Sequence, residues 1–212
     1  IIDIDVKNKT INVGGKTRFY DILNYTLKNV SSDTIKNIYA GIWADPSIAN
    51  FNYTDYYTPG GGFTWYDNLN GFDESEDDNG FNRDIAYQYD ADGDDGWAQS
   101  YLGVSVLGGS IPMGHLKTNY YQWVWTNSNN SSYPAYSMPL DDNERYQKLS
   151  SSVPLGTGPE YGADGYPNEP NSWIFLFSAG PFGSVPIESD SSSWELPPGD
   201  SCTIVMAVVT AK

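Results

Sequence analysis

Apolar and polar residues alternate with period two over much of the chain, the spacing that puts successive side chains on opposite faces of a strand. In the opening run Ile1-Ile2-Asp3-Ile4-Asp5-Val6, Ile2, Ile4 and Val6 share one face and Asp3 and Asp5 the other, which predicts a half-buried strand. After a turn at Gly14-Gly15, Thr17 to Val30 predicts a longer strand with Phe19, Leu23, Tyr25 and Leu27 on one side. A polar Ser31-Ser32-Asp33 turn then leads into Thr34 to Ala44, read as its hairpin partner. Ile85 to Asp90 and Ser100 to Leu107 flank a tight acidic turn, and Asn119 to Thr126 is a further strand. Ser172 to Ser178 and Ser201 to Thr210 are nearly continuous apolar runs, expected of central strands covered on both faces.

Only Asp141 to Leu149 has a helical signature, with Asp141 as N-cap and Glu144 placed for a capping box. Residues 45 to 82 and 150 to 171 are rich in Gly, Pro, Asn and Asp and read as loops. The strands have irregular spacing and no internal repeat. An all-β fold is expected, an antiparallel β-sandwich of jelly-roll type with long loops and at most one short helix. Residues 1–16 form the N-terminal strand and its connection, and 17–212 a single sandwich domain.

Composition agrees with this class. Aromatic residues make up 15% of the 212 positions, enough to bury a core and exclude disorder. Charge removes several functions. Against 27 acidic residues stand 11 basic ones, six of them within the first 36 positions, leaving a net charge of −16. Nucleic acid and anionic membrane surfaces are therefore not expected partners. No apolar stretch is long enough to span a membrane. An opening Ile1 without Met reads as a mature or excised piece. The single Cys202 lies in an apolar run, where a buried inert thiol is expected.

The acidic turn carries the sharpest motif for chemistry. Asp90, Asp92, Asp94 and Asp95 crowd a Gly-containing loop, and their hard oxygens suit a structural Ca²⁺, with a solvated acidic hairpin tip as the equal alternative. It is not an EF-hand loop: Asp95 stands where the loop needs Gly, and Tyr101 where it needs Glu. Catalysis finds little support. His115 is the single histidine, and no HExxH, CxxC or phosphate-loop motif occurs. No catalytic residue is assigned.

Several segments recur in a recognisable order: Asn29 to Asp45, Arg83 to Asp90 before the Asp-rich turn, Tyr101-Leu102-Gly103-Val104, Ser178-Ala179-Gly180-Pro181-Phe182 and Pro198-Gly199-Asp200-Ser201. Together they resemble an uncharacterised β-sandwich module of large secreted and surface proteins in Bacteroidota and related phyla. The resemblance implies export and an extracellular or cell-surface setting, and carries no activity. Asp33-Thr34-Ile35 is similar to the O-glycosylation tripeptide of that phylum, making Thr34 a glycosylation candidate beside the N-linked acceptor patterns at Asn24, Asn52 and Asn130.

Two functional readings follow. The first is a non-catalytic extracellular structural protein, a filament-forming subunit that self-associates, or joins other surface proteins, by donating the strand carrying Ile2, Ile4 and Val6 to a neighbour's open edge. The alternative is a carbohydrate-binding or adhesive module of a larger secreted enzyme, with Trp65, Tyr121, Trp123 and Trp125 as sugar-stacking rings. In a strand Tyr121, Trp123 and Trp125 share one face, which core packing explains equally well.

Overall fold

The computed structural model describes residues 2–12, 19–46, 48, 68–78, 80, 83–93, 100–125 and 131–211. One antiparallel sheet has the order β1 (Ile2–Asn12), β2 (Phe19–Asn29), β12 (Ser201–Ala211), β7 (Tyr101–Gly109), β6 (Ile85–Asp90) and β5 (Asn68–Asp73). A second has the order β4 (Ile38–Ala44), β9 (Trp173–Phe182) and β8 (Lys117–Val124). A short third sheet orders β10 (Val185–Ile187), β11 (Asp190–Leu196) and β3 (Ile35–Lys36). The expected helix is present as α1 (Asp142–Ser150).

The first two sheets pack as an antiparallel sandwich. Their shared core takes Leu27, Ala86, Val104, Val106, Ile204 and Met206 from one side, and Tyr120, Phe175, Phe177 and Ala179 from the other. Phe72 stacks on Tyr120 across the interface, ring centroids 5.1 Å apart and planes 4° from parallel. Burying large side chains of this kind contributes about 1.5–3 kcal/mol each. Cys202 is 1% exposed within this core, and burial pushes its thiol up to about 11.

Four sequence expectations change. The stretches 17–30 and 34–44 are not hairpin partners: β2 pairs with β1 and β12, whereas β4 pairs with β9. Asn29 explains the crossing. Fully buried, it accepts from the Ser31 amide and donates to the carbonyls of Asp33 and Leu196, tying the turn to β11 in place of a hairpin ladder. The N-terminal strand extends to Asn12, beyond the alternation that ends at Val6, and pairs along its full length with β2 of the same chain. β5 lies inside a region read as loop. Its inward residues Asn68 and Asn70 are polar, so no apolar alternation marks it; Gln88 Nε2 satisfies Asn70 Oδ1 at 2.7 Å and the Trp173 carbonyl at 2.6 Å. Finally, β9 is covered on both faces as expected, but β12 is buried mainly on its core side, at Cys202, Ile204 and Met206.

Candidate functional site

The cover over β9 is what creates the site. On β4, Ile38, Ala40, Ile42 and Ala44 pack into the core, which leaves Tyr39, Gly41 and Trp43 on the outer face. The same alternation puts Ile174, Leu176 and Ser178 of β9 and Asn119, Tyr121 and Trp123 of β8 outside. Register aligns Trp43, Leu176 and Tyr121 in one row, and Ile174 with Trp123 in the next. Trp123, Ile174 and Leu176 form a second, smaller core, closed by Tyr121, Met138 and Leu149.

Helix α1 is capped at its start and tied to this face from its middle to its end. At the start, Asp141 Oδ1 accepts from the Glu144 amide at 2.9 Å. Glu144 reaches back to the amide of Leu140, one residue before the cap, at 2.7 Å. In mid-helix the Tyr146 hydroxyl donates to the carbonyl of Asn37, which holds a left-handed φ of 54°, and its ring meets Tyr39 edge-on at 6.1 Å. Near the end, the Leu149 carbonyl accepts from Ser178 Oγ at 2.8 Å and Asn119 Nδ2 at 3.3 Å.

Between α1 and the sheet runs a groove of about 520 Å³, lined in part by Trp43, Trp123, Met138, Leu140, Arg145 and Lys148. Gly41 forms part of its floor. A Cβ there would stand 2.6 Å from the Phe177 carbonyl oxygen, so a side chain at this position forces the strands apart. Trp43, which lines the groove, and Trp125 beside it remain 48% and 51% exposed, ring centroids 6.4 Å apart and planes inclined at 43°. Lys148 Nζ sits 4.0 Å over the Tyr121 ring and 5.8 Å from that of Trp123. Burial brings this amine down to about 8, opposed by the Glu144 carboxylate. Trp123 is 2% exposed, and its Nε1 has no hydrogen-bond partner among the described residues.

The predicted ring residues divide accordingly. Tyr121, Trp123 and Trp125 do share the outer face; Trp123 is floor, Tyr121 lies beneath Lys148, and Trp125 is open to solvent. Trp65 lies outside the described residues. Trp43, Arg145 and Lys148 were not anticipated. The signal for Trp43 was present, since the apolar alternation of Ile38, Ala40, Ile42 and Ala44 leaves it on the opposite face.

Of the predicted metal ligands, Asp90 is 6% exposed, and its Oδ1 accepts from the amides of Asp92 at 3.2 Å and Gly93 at 2.6 Å, the geometry of a turn cap. Asp92 is exposed, while Asp94 and Asp95 lie outside the described residues. Among the described residues no three His, Cys, Asp or Glu side chains cluster to hold a metal ion. Asn24 and Thr34 are exposed, and Asn52 and Asn130 fall outside the described residues. Ile2, Ile4 and Val6 lie on β1, at the edge of the six-stranded sheet. His115 is exposed in a short 3₁₀ turn, edge-on to Trp194 at 6.3 Å.

Comparison with known proteins finds no matching family model and no similar curated protein. Among the described residues no helix is long and apolar enough to cross a membrane.

Proposed function

We propose that the chain is a non-catalytic extracellular binding module that holds carbohydrate at the Trp43/Trp125 mouth of the groove. The observation that carries this reading is the tilted pair of half-exposed indoles beside an apolar groove. Flat rings offer a sugar its preferred partner for axial C–H groups, and an inclination of 43° matches a twisted saccharide chain better than one flat plane. Among the described residues no carboxylate lines the groove. Glycan-array binding by the intact chain, lost in Trp43→Ala and retained in Tyr101→Ala, is the expected result. Equal binding by both variants, or none by the parent, overturns the reading.

A second reading rests on β1. This strand of 11 residues closes one edge of the six-stranded sheet, with β2 as its strand partner. Six strands that alternate in direction leave β1 and β5 antiparallel, so copies stacked by simple translation would continue the alternation across the joint. A structural subunit that polymerises by edge pairing, or by donating β1, uses that feature. Calcium at the Asp90 turn would relieve the repulsion between copies of charge −16. Electron microscopy in millimolar calcium tests it: regular filaments support assembly, and isolated monomers remove it.

A further inference from the structure

The groove selects for charge as well as shape. Every nitrogen or oxygen on the side chains that line it is a donor: Trp43 Nε1, Trp123 Nε1, the Arg145 guanidinium and the Lys148 ammonium. Not one side-chain oxygen is among them. In a chain with 27 acidic and 11 basic residues, two cations line this groove and, among the described residues, the carboxylates nearest them, Asp142 and Glu144, are not part of its lining.

Two of these donors are held without an acceptor. Trp123 Nε1 is buried and unpartnered, a state that costs free energy until an acceptor arrives. Lys148 lies over the rings of Tyr121 and Trp123, a contact that fixes the ammonium while leaving its N–H groups unpaired with a carboxylate. Arg145 shares its charge with Asp142 at 2.6 Å, on the exposed side of the helix. The groups facing Lys148 are Glu144 on its own helix and Tyr121 and Trp123 from β8; β4 and β9 add Trp43, Gly41 and Leu176, all uncharged.

We infer that the groove binds an acidic sugar unit, with a uronate carboxylate or a sugar sulfate on Lys148 and the adjoining sugar ring on the Trp43/Trp125 pair. This rests on the carbohydrate reading above and names the class of glycan. Lys148, with Arg145 already paired to Asp142, matches a single anionic group, and the net charge of −16 opposes a dense polyanion, which separates the ligand from polyphosphates.

Paired glycans test it: uronate-containing oligosaccharides beside their carboxyl-reduced forms, and sulfated oligosaccharides beside their desulfated forms, titrated against the intact chain. Removing the acidic group from the true ligand should weaken binding about tenfold. Lys148→Met should abolish that difference, while Lys148→Arg, which keeps the charge, should retain most of it. Should Lys148→Met fail to fold, Arg145→Gln on an exposed side chain is expected to reduce the preference about threefold. Which pair responds distinguishes carboxylate from sulfate. Equal binding of acidic and neutral partners overturns the inference and leaves the sugar platform intact; no binding to any member overturns both.

Discussion

The sandwich carries aromatic rings on both outer faces, and they are built differently. On the six-stranded sheet Tyr87, Tyr89 and Tyr101 form a ladder, with Tyr89 and Tyr101 5.2 Å apart at 29° and Tyr87 and Tyr89 6.2 Å apart at 28°. Tyr87 lies over Gly71, where a Cβ would come within 2.2 Å of its ring. These rings use their faces on one another and on the backbone. Burial raises the Tyr87 hydroxyl above its usual range, assisted by Tyr89 and by the carboxylates of Asp164 and Asp73. On the three-stranded sheet, by contrast, a helix stands over the rings, the outermost two remain half exposed, and the buried Trp123 Nε1 has no acceptor among the described residues. Aromatic abundance therefore does not mark a site. What marks it is ring surface and hydrogen-bonding capacity that the fold leaves unused.

That contrast is open to direct attack. Trp123→Ala should remove the floor of the groove and cost about 3–5 kcal/mol of stability, whereas Tyr101→Ala, at a position 44% exposed, should cost about 1 kcal/mol or less; urea unfolding with circular dichroism reads both. Trp43→Ala should leave stability within about 1 kcal/mol of the parent yet weaken sugar binding about tenfold, measured by calorimetry.

Lys148 supplies a test in pH. Its amine sits near 8 when folded, below its ordinary 10.5, so between these values the unfolded chain binds more protons and stability rises with pH. Losing the cation over the same interval weakens binding of an acidic sugar. Relative to Lys148→Met, in which the other titrating groups are unchanged, the parent should gain stability and lose acidic-sugar affinity as pH rises from about 8 to 10, and an affinity with the same pH dependence in both proteins would remove Lys148 from the site. A small effect is also expected of Asp141→Ala, which frees the start of α1 at a cost of about 1 kcal/mol and loosens the groove without touching the tyrosine ladder, read by urea unfolding.

The strands legible in the sequence were those with an apolar alternation on either face. Ser201 to Thr210 read correctly because Cys202, Ile204 and Met206 supply the pattern on the core side, and Ile85 to Asp90 because Ile85, Tyr87 and Tyr89 supply it on the outer side, although Gln88 and Asp90 face inward. β5 was silent because Asn68 and Asn70 face inward, a polar patch satisfied in part by Gln88 from the neighbouring strand. Pairing was less legible than strand identity. A Ser31-Ser32-Asp33 turn serves a hairpin or a crossing equally well, and the choice was made by the buried Asn29 amide and the distant Leu196 carbonyl. The helix cap at Asp141 was visible as a local motif. The site was half visible: alternation put Tyr121, Trp123 and Trp125 on one face, but Trp43 joins them only through the β4–β9–β8 register, and Lys148 only through the docking of α1.

The central claim is that sugar is held by the open tryptophan pair and not by the tyrosine ladder. Titration of a glycan selected on the array into Trp43→Ala/Trp125→Ala and into Tyr87→Ala/Tyr101→Ala, both confirmed as folded, tests it most directly. The account predicts loss of detectable binding in the tryptophan double variant and unchanged affinity in the tyrosine one. Retained binding without the two tryptophans, or loss without the two tyrosines, would contradict it.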